Sequence, residues 1–308
     1  MNSAIRRLLA VGAFVLAVAS LAAAIHLWTS FTGRGGRAVV GARHVVQSPS
    51  GHDIVYFERI PNGAAPHPIP IVLLASFSRS VADFNELTDS LAAAGYRTLA
   101  IESRGIGGSG GGGPGQRLTL HDLAADIGVV LDVERPGRRA HFVGHAFGNR
   151  VVRTFARDRP ERIETVTLIA AGGLFPIRSE IQAALGLSVS SFLPRSRREP
   201  ALRLAFFSAR SEIPEDWIGG WWLWGGLAQR DATEATSSEE FWDAGNAPLL
   251  VIQAEDDRLA PPDDSGIRLK ESFPERVELV MVPEAGHALL PEQPERILRA
   301  LLAYYAGR

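Results

Sequence analysis

Three short stretches of this chain hold residue types that proton-transfer chemistry uses. Gly286-His287 follows the last strand-like apolar run, and Asp256-Asp257 follows the run before it. Gly144-His145-Ala146-Phe147-Gly148 joins an apolar run to a helix-like one. An imidazole held by a buried carboxylate takes a proton from bound substrate or water, while the carboxylate holds the tautomer and stabilises the imidazolium. The glycine-flanked turn carries alanine at its centre and offers no hydroxyl there. No cysteine occurs in 308 residues, which removes thiolate nucleophiles, disulfides, cysteine-ligated zinc and a lipidated-cysteine anchor together. No cofactor or metal is implied.

These residues need a frame, and the apolar runs supply one. Val45-Val46 and Ile54 to Phe57 read as two strands around the turn-forming Ser48-Pro49-Ser50-Gly51, a hairpin at a sheet edge. Ile71 to Ala75 is a strand-length apolar run, followed by a helical pattern from Val81 to Ala94 that stops at Gly95. Thr98 to Ile101 leads through a glycine-rich loop to a helix over Leu120 to Val133; Phe142-Val143 leads through the alanine-bearing turn to a helix over Asn149 to Ala156. Val166 to Ala170, Leu249 to Ile252 and Val277 to Met281 continue the series, with a final helix over Pro291 to Tyr305. Strands alternating with helices predict an α/β fold with a doubly wound, mostly parallel sheet.

Ala140-His-Phe-Val-Gly-His-Ala-Phe-Gly-Asn-Arg-Val-Val-Arg resembles the strand–elbow–helix unit of the α/β-hydrolase superfamily, whose G-x-S-x-G motif lifts a nucleophile above the sheet. Pro283-Glu-Ala-Gly-His-Ala is similar to its histidine loop. Gln253-Ala-Glu-Asp-Asp-Arg-Leu-Ala-Pro is similar to its G-x-x-D-x-x-x-P acid loop, with Ala254 in place of the glycine. Glu102-Ser-Arg-Gly-Ile-Gly-Gly-Ser resembles its D-x-R-G-x-G-x-S loop rather than a phosphate cradle, since no Lys-Ser/Thr ending follows. The resemblance covers about residues 45–308. It implies that Ala146 occupies the nucleophile position, His287 is the base, Asp257 is the acid with Asp256 beside it, and the backbone N–H groups of Phe147 and Phe77 are oxyanion donors. Ala75-Ser76-Phe77 stands where many relatives have His-Gly and an aromatic, and Ser76 or Ser78 offers an additional hydroxyl.

Alanine forms no acyl-enzyme, and losing a triad nucleophile removes about 10⁶-fold of rate. The position therefore reads as natural chemistry without an acyl-enzyme, as an inactivated serine hydrolase, or as part of a catalytically silent ligand-binding or sensor domain. The substrate expected is a small, largely apolar ester, lactone or carbonyl compound.

Two further segments set the domain organisation. Arg6 and Arg7 precede an almost unbroken apolar stretch from Leu8 to Leu27, long enough for a spanning helix and containing two A-x-A-like sites, Ala17-Val18-Ala19 and Ala22-Ala23-Ala24. Residues 1–32 read as a signal peptide or a membrane anchor, so the chain is expected to be exported or membrane-attached. Arg34, Arg37 and Arg43 beyond it leave orientation weakly specified. The rhythm of strands stops between residues 173 and 245, where the resemblance implies a helical cap between core segments 38–172 and 246–308. Trp217, Trp221, Trp222, Trp224 and Trp242 either line an apolar pocket or form the cap's own core. With net charge −2 and scattered basic residues, a small-molecule partner is expected and a nucleic acid is not.

Overall fold

The computed structural model describes residues 3–33, 36–61, 63, 66–113 and 115–307. Arg34 lies outside them. After an N-terminal helix α1 (Ser3–Phe31), eight strands form one sheet: β1 (Ala42–Gln47), β2 (Asp53–Arg59), β3 (Ile71–Leu74), β4 (Thr98–Ile101), β5 (Ala140–His145), β6 (Ile163–Ile169), β7 (Leu249–Ala254) and β8 (Val277–Val282). Their order is β1-β2-β4-β3-β5-β6-β7-β8; β2 runs antiparallel to both neighbours and the remaining pairs are parallel.

Period-two alternation decides which face each side chain covers. Val72, Leu74, Leu249 and Val251 point into one buried cluster with Leu123, Ile127 and Leu131 of α3 (Leu120–Glu134) and Val151, Val152 and Phe155 of α4 (Phe147–Asp158). Ile71, Leu73, Leu250 and Ile252 point the other way. They meet Leu87 and Leu91 of α2 (Asn85–Ala93), and Ile297 and Leu301 near the C-terminus. A strand buried on both faces reads as an unbroken apolar run, which is why these strands lack visible alternation in sequence. A capping box, Thr119 with Asp122, starts α3.

Two helices differ from the expected spans. Val81–Phe84 is a 3₁₀ turn, and α2 begins only at Asn85. The expected helix from Pro291 to Tyr305 breaks at Gln293, where φ is −140°. Pro294 has no N–H and disfavours helical backbone in the residue before it, and a helix over Pro294–Ala306 starts afresh.

Between β6 and β7 lie α5 (Ser179–Val189), α6 (Arg195–Ala205), α7 (Glu215–Ile218) and α8 (Leu223–Glu234). Ile181, Leu202, Phe206, Trp217 and Trp221 bury one another there, with Phe206 ring centroids 5.4 Å from both tryptophans. Arg79, from the loop after β3, caps this cluster. Its guanidinium lies 4.4 Å and 4.8 Å from the Trp217 and Trp221 rings and is paired to Asp83 at 2.6 Å. Trp242 instead joins the sheet core. Trp222 and Trp224 pack on the foot of α1: a Cβ on Gly33 would fall 2.2 Å from the Trp222 indole, and the Trp224 ring is 4.6 Å from that of Phe31.

Candidate active site

The turn after β5 is built by close approach of backbones. A Cβ on Gly148 would fall 2.2 Å from the Leu74 carbonyl oxygen, and one on Gly144 would fall 2.6 Å from the Asn149 nitrogen. Only glycine lets α4 start this close to β3. Ala146, between them, has φ +51° and ψ −105°, a strained conformation for an L-residue. Its N–H donates to the Ile169 carbonyl at 3.0 Å, and Asn149 Nδ2 donates to the carbonyls of Ile169 (2.7 Å) and Ala170 (3.1 Å), tying the turn to β6.

His287 and Asp257 meet at the carboxyl ends of β7 and β8. His287 Nδ1 lies 2.9 Å and 3.0 Å from the two carboxylate oxygens. Asp257 is fully enclosed and also accepts from Ala260 N–H (2.8 Å) and Gln253 Nε2 (3.1 Å), so its charge is compensated on several sides. Asp256 is exposed, and its N–H serves the Ala285 carbonyl. The contact with imidazole thus belongs to Asp257.

The histidine loop is held from below and above. His145 Nε2, next to Ala146, hydrogen-bonds the His287 carbonyl at 2.8 Å, and the two rings are 5.9 Å apart. Burial pushes the His145 imidazole down to about 4, so it is neutral at physiological pH. A Cβ on Gly286 would fall 2.6 Å from the Phe206 carbonyl, which accepts from Ala288 N–H at 2.8 Å; Gly286 N–H donates to Glu292 at 2.7 Å. The insertion therefore touches the imidazole loop directly, and the Phe206 ring stands 5.8 Å from that of His287.

Phe147 is the first residue of α4, so its N–H has no acceptor within the helix. In the loop after β3, Ser78 N–H is taken by Gln229 Oε1 (2.7 Å) and Ser78 Oγ by the Trp222 carbonyl (2.8 Å). Among the described residues the Phe77 N–H has no protein acceptor, and the buried Ser76 hydroxyl has no partner. The Phe77 and Phe147 rings are edge-to-face at 6.3 Å, which brings the two loops together.

Sequence reasoning missed Glu102 as a structural pin. It is buried at the end of β4, accepts from Ser80 Oγ (2.5 Å) and Val81 N–H (3.1 Å), and burial pushes its carboxyl up to about 7. A Cβ on Gly107 would fall 2.5 Å from its Oε1, so the glycine-rich loop folds onto this carboxyl. The signal was an acid opening that loop. Arg150 and Arg153, on α4, were also passed over, although two arginines three apart beside the turn were plain in the sequence.

A mostly parallel sheet with an elbow after its fifth strand, and with acid and histidine loops after its last two, defines an α/β-hydrolase fold. The chain belongs to the alpha/beta hydrolase family, whose profile matches residues 71–300. The family is one of hydrolytic enzymes, and this chain stands among them. It is 29% identical to a 2-hydroxy-6-oxononadienedioate/2-hydroxy-6-oxononatrienedioate hydrolase of Burkholderia vietnamiensis, over 72% of this chain and 81% of the relative. With rhodomycin D methylesterase DauP of Streptomyces sp. strain C5 it shares 27% identity over 78% of this chain and 91% of that one. Among solved structures, a bacterial membrane phospholipase A superposes with TM-score 0.69 at 20% identity, covering 97% of this chain and 96% of the other; it is a likeness of fold.

Proposed function

We propose that this chain is a hydrolase for a small, largely apolar ester, lactone or carbonyl compound, with His287, oriented by Asp257, acting as general base without an acyl-enzyme. The observation that carries this reading is the enclosed Asp257 carboxylate on His287 Nδ1, at 2.9 Å and 3.0 Å, with two further donors on the acid. That arrangement leaves Nε2 as the proton acceptor. Water then gives its proton to Nε2 while its oxygen adds to the substrate carbonyl. The tetrahedral oxyanion takes hydrogen bonds from Phe77 and Phe147 N–H, and with an ester or lactone its collapse breaks the acyl C–O bond and returns the proton from His287 to the departing alkoxide. Relatives named as a methylesterase and as a hydrolase of oxo-dienedioates support a carbonyl centre as the target.

A panel of esters and lactones given to wild type tests the reading. His287→Gln and Asp257→Asn are each expected to lower turnover about 10²- to 10⁴-fold with little change in KM. Turnover that survives both substitutions removes the base from the mechanism.

The location of the chain is part of the same proposal. Within α1, Val11–Thr29 is long and apolar enough to cross a membrane, with mean hydropathy 2.0, and no part of it is buried against the protein. We read it as a bilayer attachment. The full chain is expected in the membrane fraction after a high-salt wash, and a chain starting at residue 36 in the soluble fraction. A shortened chain that still pellets with membranes while remaining folded overturns this assignment, and a mature N-terminus after Ala19 or Ala24 identifies a cleaved signal instead.

A further inference from the structure

The first turns of α4 hold two guanidinium groups with very different surroundings. Arg153 is fully buried and each of its three guanidinium nitrogens reaches a carbonyl: Nε donates to Asn149 O (3.1 Å), Nη1 to Trp242 O (3.4 Å) and Nη2 to Gly172 O, and it lies 5.2 Å and 4.9 Å from the Phe241 and Trp242 rings. Arg150 is partly buried. Yet among the described residues its guanidinium has no carboxylate partner and donates to no carbonyl; its one recorded neighbour of opposite character is the Phe241 ring at 5.7 Å. That is near the outer limit of a cation–π contact. Burial pushes Arg150 down to about 10 and, with Arg150 as a like-charged neighbour, Arg153 to about 9, and both remain charged at neutral pH. A cation partly withdrawn from water with no anion beside it is short of a negative group.

Its place relates it to the chemistry. Arg150 is four residues after Ala146, one helical turn of ~5.4 Å along the axis. Its guanidinium carbon lies 3.1 Å from where a Cβ on Gly173 would sit. The preceding Gly172 approaches Ala260, whose N–H holds Asp257 at 2.8 Å. The unpaired cation therefore stands at the carboxyl edge of β6, beside the acid loop and under the start of the insertion.

We propose that Arg150 binds a carboxylate on the substrate, so that the preferred substrate is an otherwise apolar ester or lactone carrying one carboxylate a few carbons from the reacting carbonyl. This rests on the hydrolase reading of the site above. The guanidinium fork matches a carboxylate with two parallel N–H···O bonds. Arg153, buried and with every guanidinium nitrogen already on a carbonyl, adds positive potential.

Calorimetric binding to the full-length chain in detergent, with monomethyl adipate, dimethyl adipate and inorganic phosphate as probes, tests the proposal. Wild type is expected to bind the monoanionic ester at least ~10-fold more tightly than the neutral diester. Arg150→Met should level the two, and Arg150→Lys should keep part of the difference. Equal binding of the two esters by wild type overturns the subsite, whether or not the variants fold. So does a preference that persists in folded Arg150→Met. Inorganic phosphate competing as well as the monoester also overturns it, by showing a site for free anions. Tight, Arg150-dependent binding without any histidine-dependent turnover upholds the subsite and sinks the hydrolase reading; histidine-dependent turnover without charge preference does the reverse.

Discussion

Ala146→Ser is expected to raise turnover of short activated esters at least ~10³-fold over wild type, and His287→Ala added to it to abolish the gain. Serine adds one oxygen to a Cβ already lifted by the elbow at φ +51°. The proposed site would supply the remaining parts: His287 on Asp257 at 2.9 Å, the helix-start N–H of Phe147, and the Phe77 N–H, which has no protein acceptor among the described residues. Proton removal by His287 activates the hydroxyl, and the acyl-enzyme splits one difficult step into two easier ones. Esterase rates of wild type, the serine variant and the double variant decide the matter. A serine variant that melts like wild type yet shows no histidine-dependent turnover across several acyl lengths means that the site is remodelled away from acyl transfer.

The second large effect concerns stability and pH. His145 is held at about 4, below its ordinary 6.5, so between those values the unfolded chain binds a proton that the folded one refuses, and stability rises with pH. Glu102 is held at about 7, above its ordinary 4.5, so the folded chain keeps a proton that the unfolded one has lost, and stability falls as pH rises through that window. Over their shared range the two slopes oppose and largely cancel in wild type. Each single substitution unmasks the other. His145→Gln should lose stability as pH climbs from 4.5 to 7, and Glu102→Gln should gain it from 4 to 6.5, each by up to about 3 kcal/mol. Urea unfolding of both variants across this range gives the difference curve; parallel pH profiles for the two would show that neither group is shifted as described.

Much of this architecture was legible because burial writes itself into sequence. Strands covered on both faces, such as Ile71–Leu74 and Leu249–Ala254, appear as apolar runs, and the glycines at 144, 148 and 286 mark places where backbones touch. Less was legible wherever the answer depended on direction rather than residue type. Asp256 and Asp257 are the same residue side by side, and only the course of the loop after β7 buries one and exposes the other. The five tryptophans between residues 217 and 242 divide among three environments, two in the insertion's core, one in the sheet core and two beside Phe31 and Gly33, a division that composition does not encode. Arg150 and Arg153 look alike as letters. What distinguishes them is that, among the described residues, one reaches carbonyls and the other does not.

The seating of α1 bears on how a bilayer would present this molecule to its surroundings. Phe31 lies against Trp224 and Gly33 against Trp222, His26 reaches the Phe192 carbonyl at 3.4 Å, and just beyond, Arg37 pairs with Asp216 at 2.8 Å and with Glu86. The chain is thus fastened to the body on both sides of its exit from the helix. Such a connection is a strut and not a leash: were α1 in a bilayer as proposed, these contacts would hold the body at one height and tilt, with the insertion residues Trp222 and Trp224 near the headgroups. A molecule diffusing in that leaflet would meet the same side of the protein at every encounter, trading a search through volume for one across a plane.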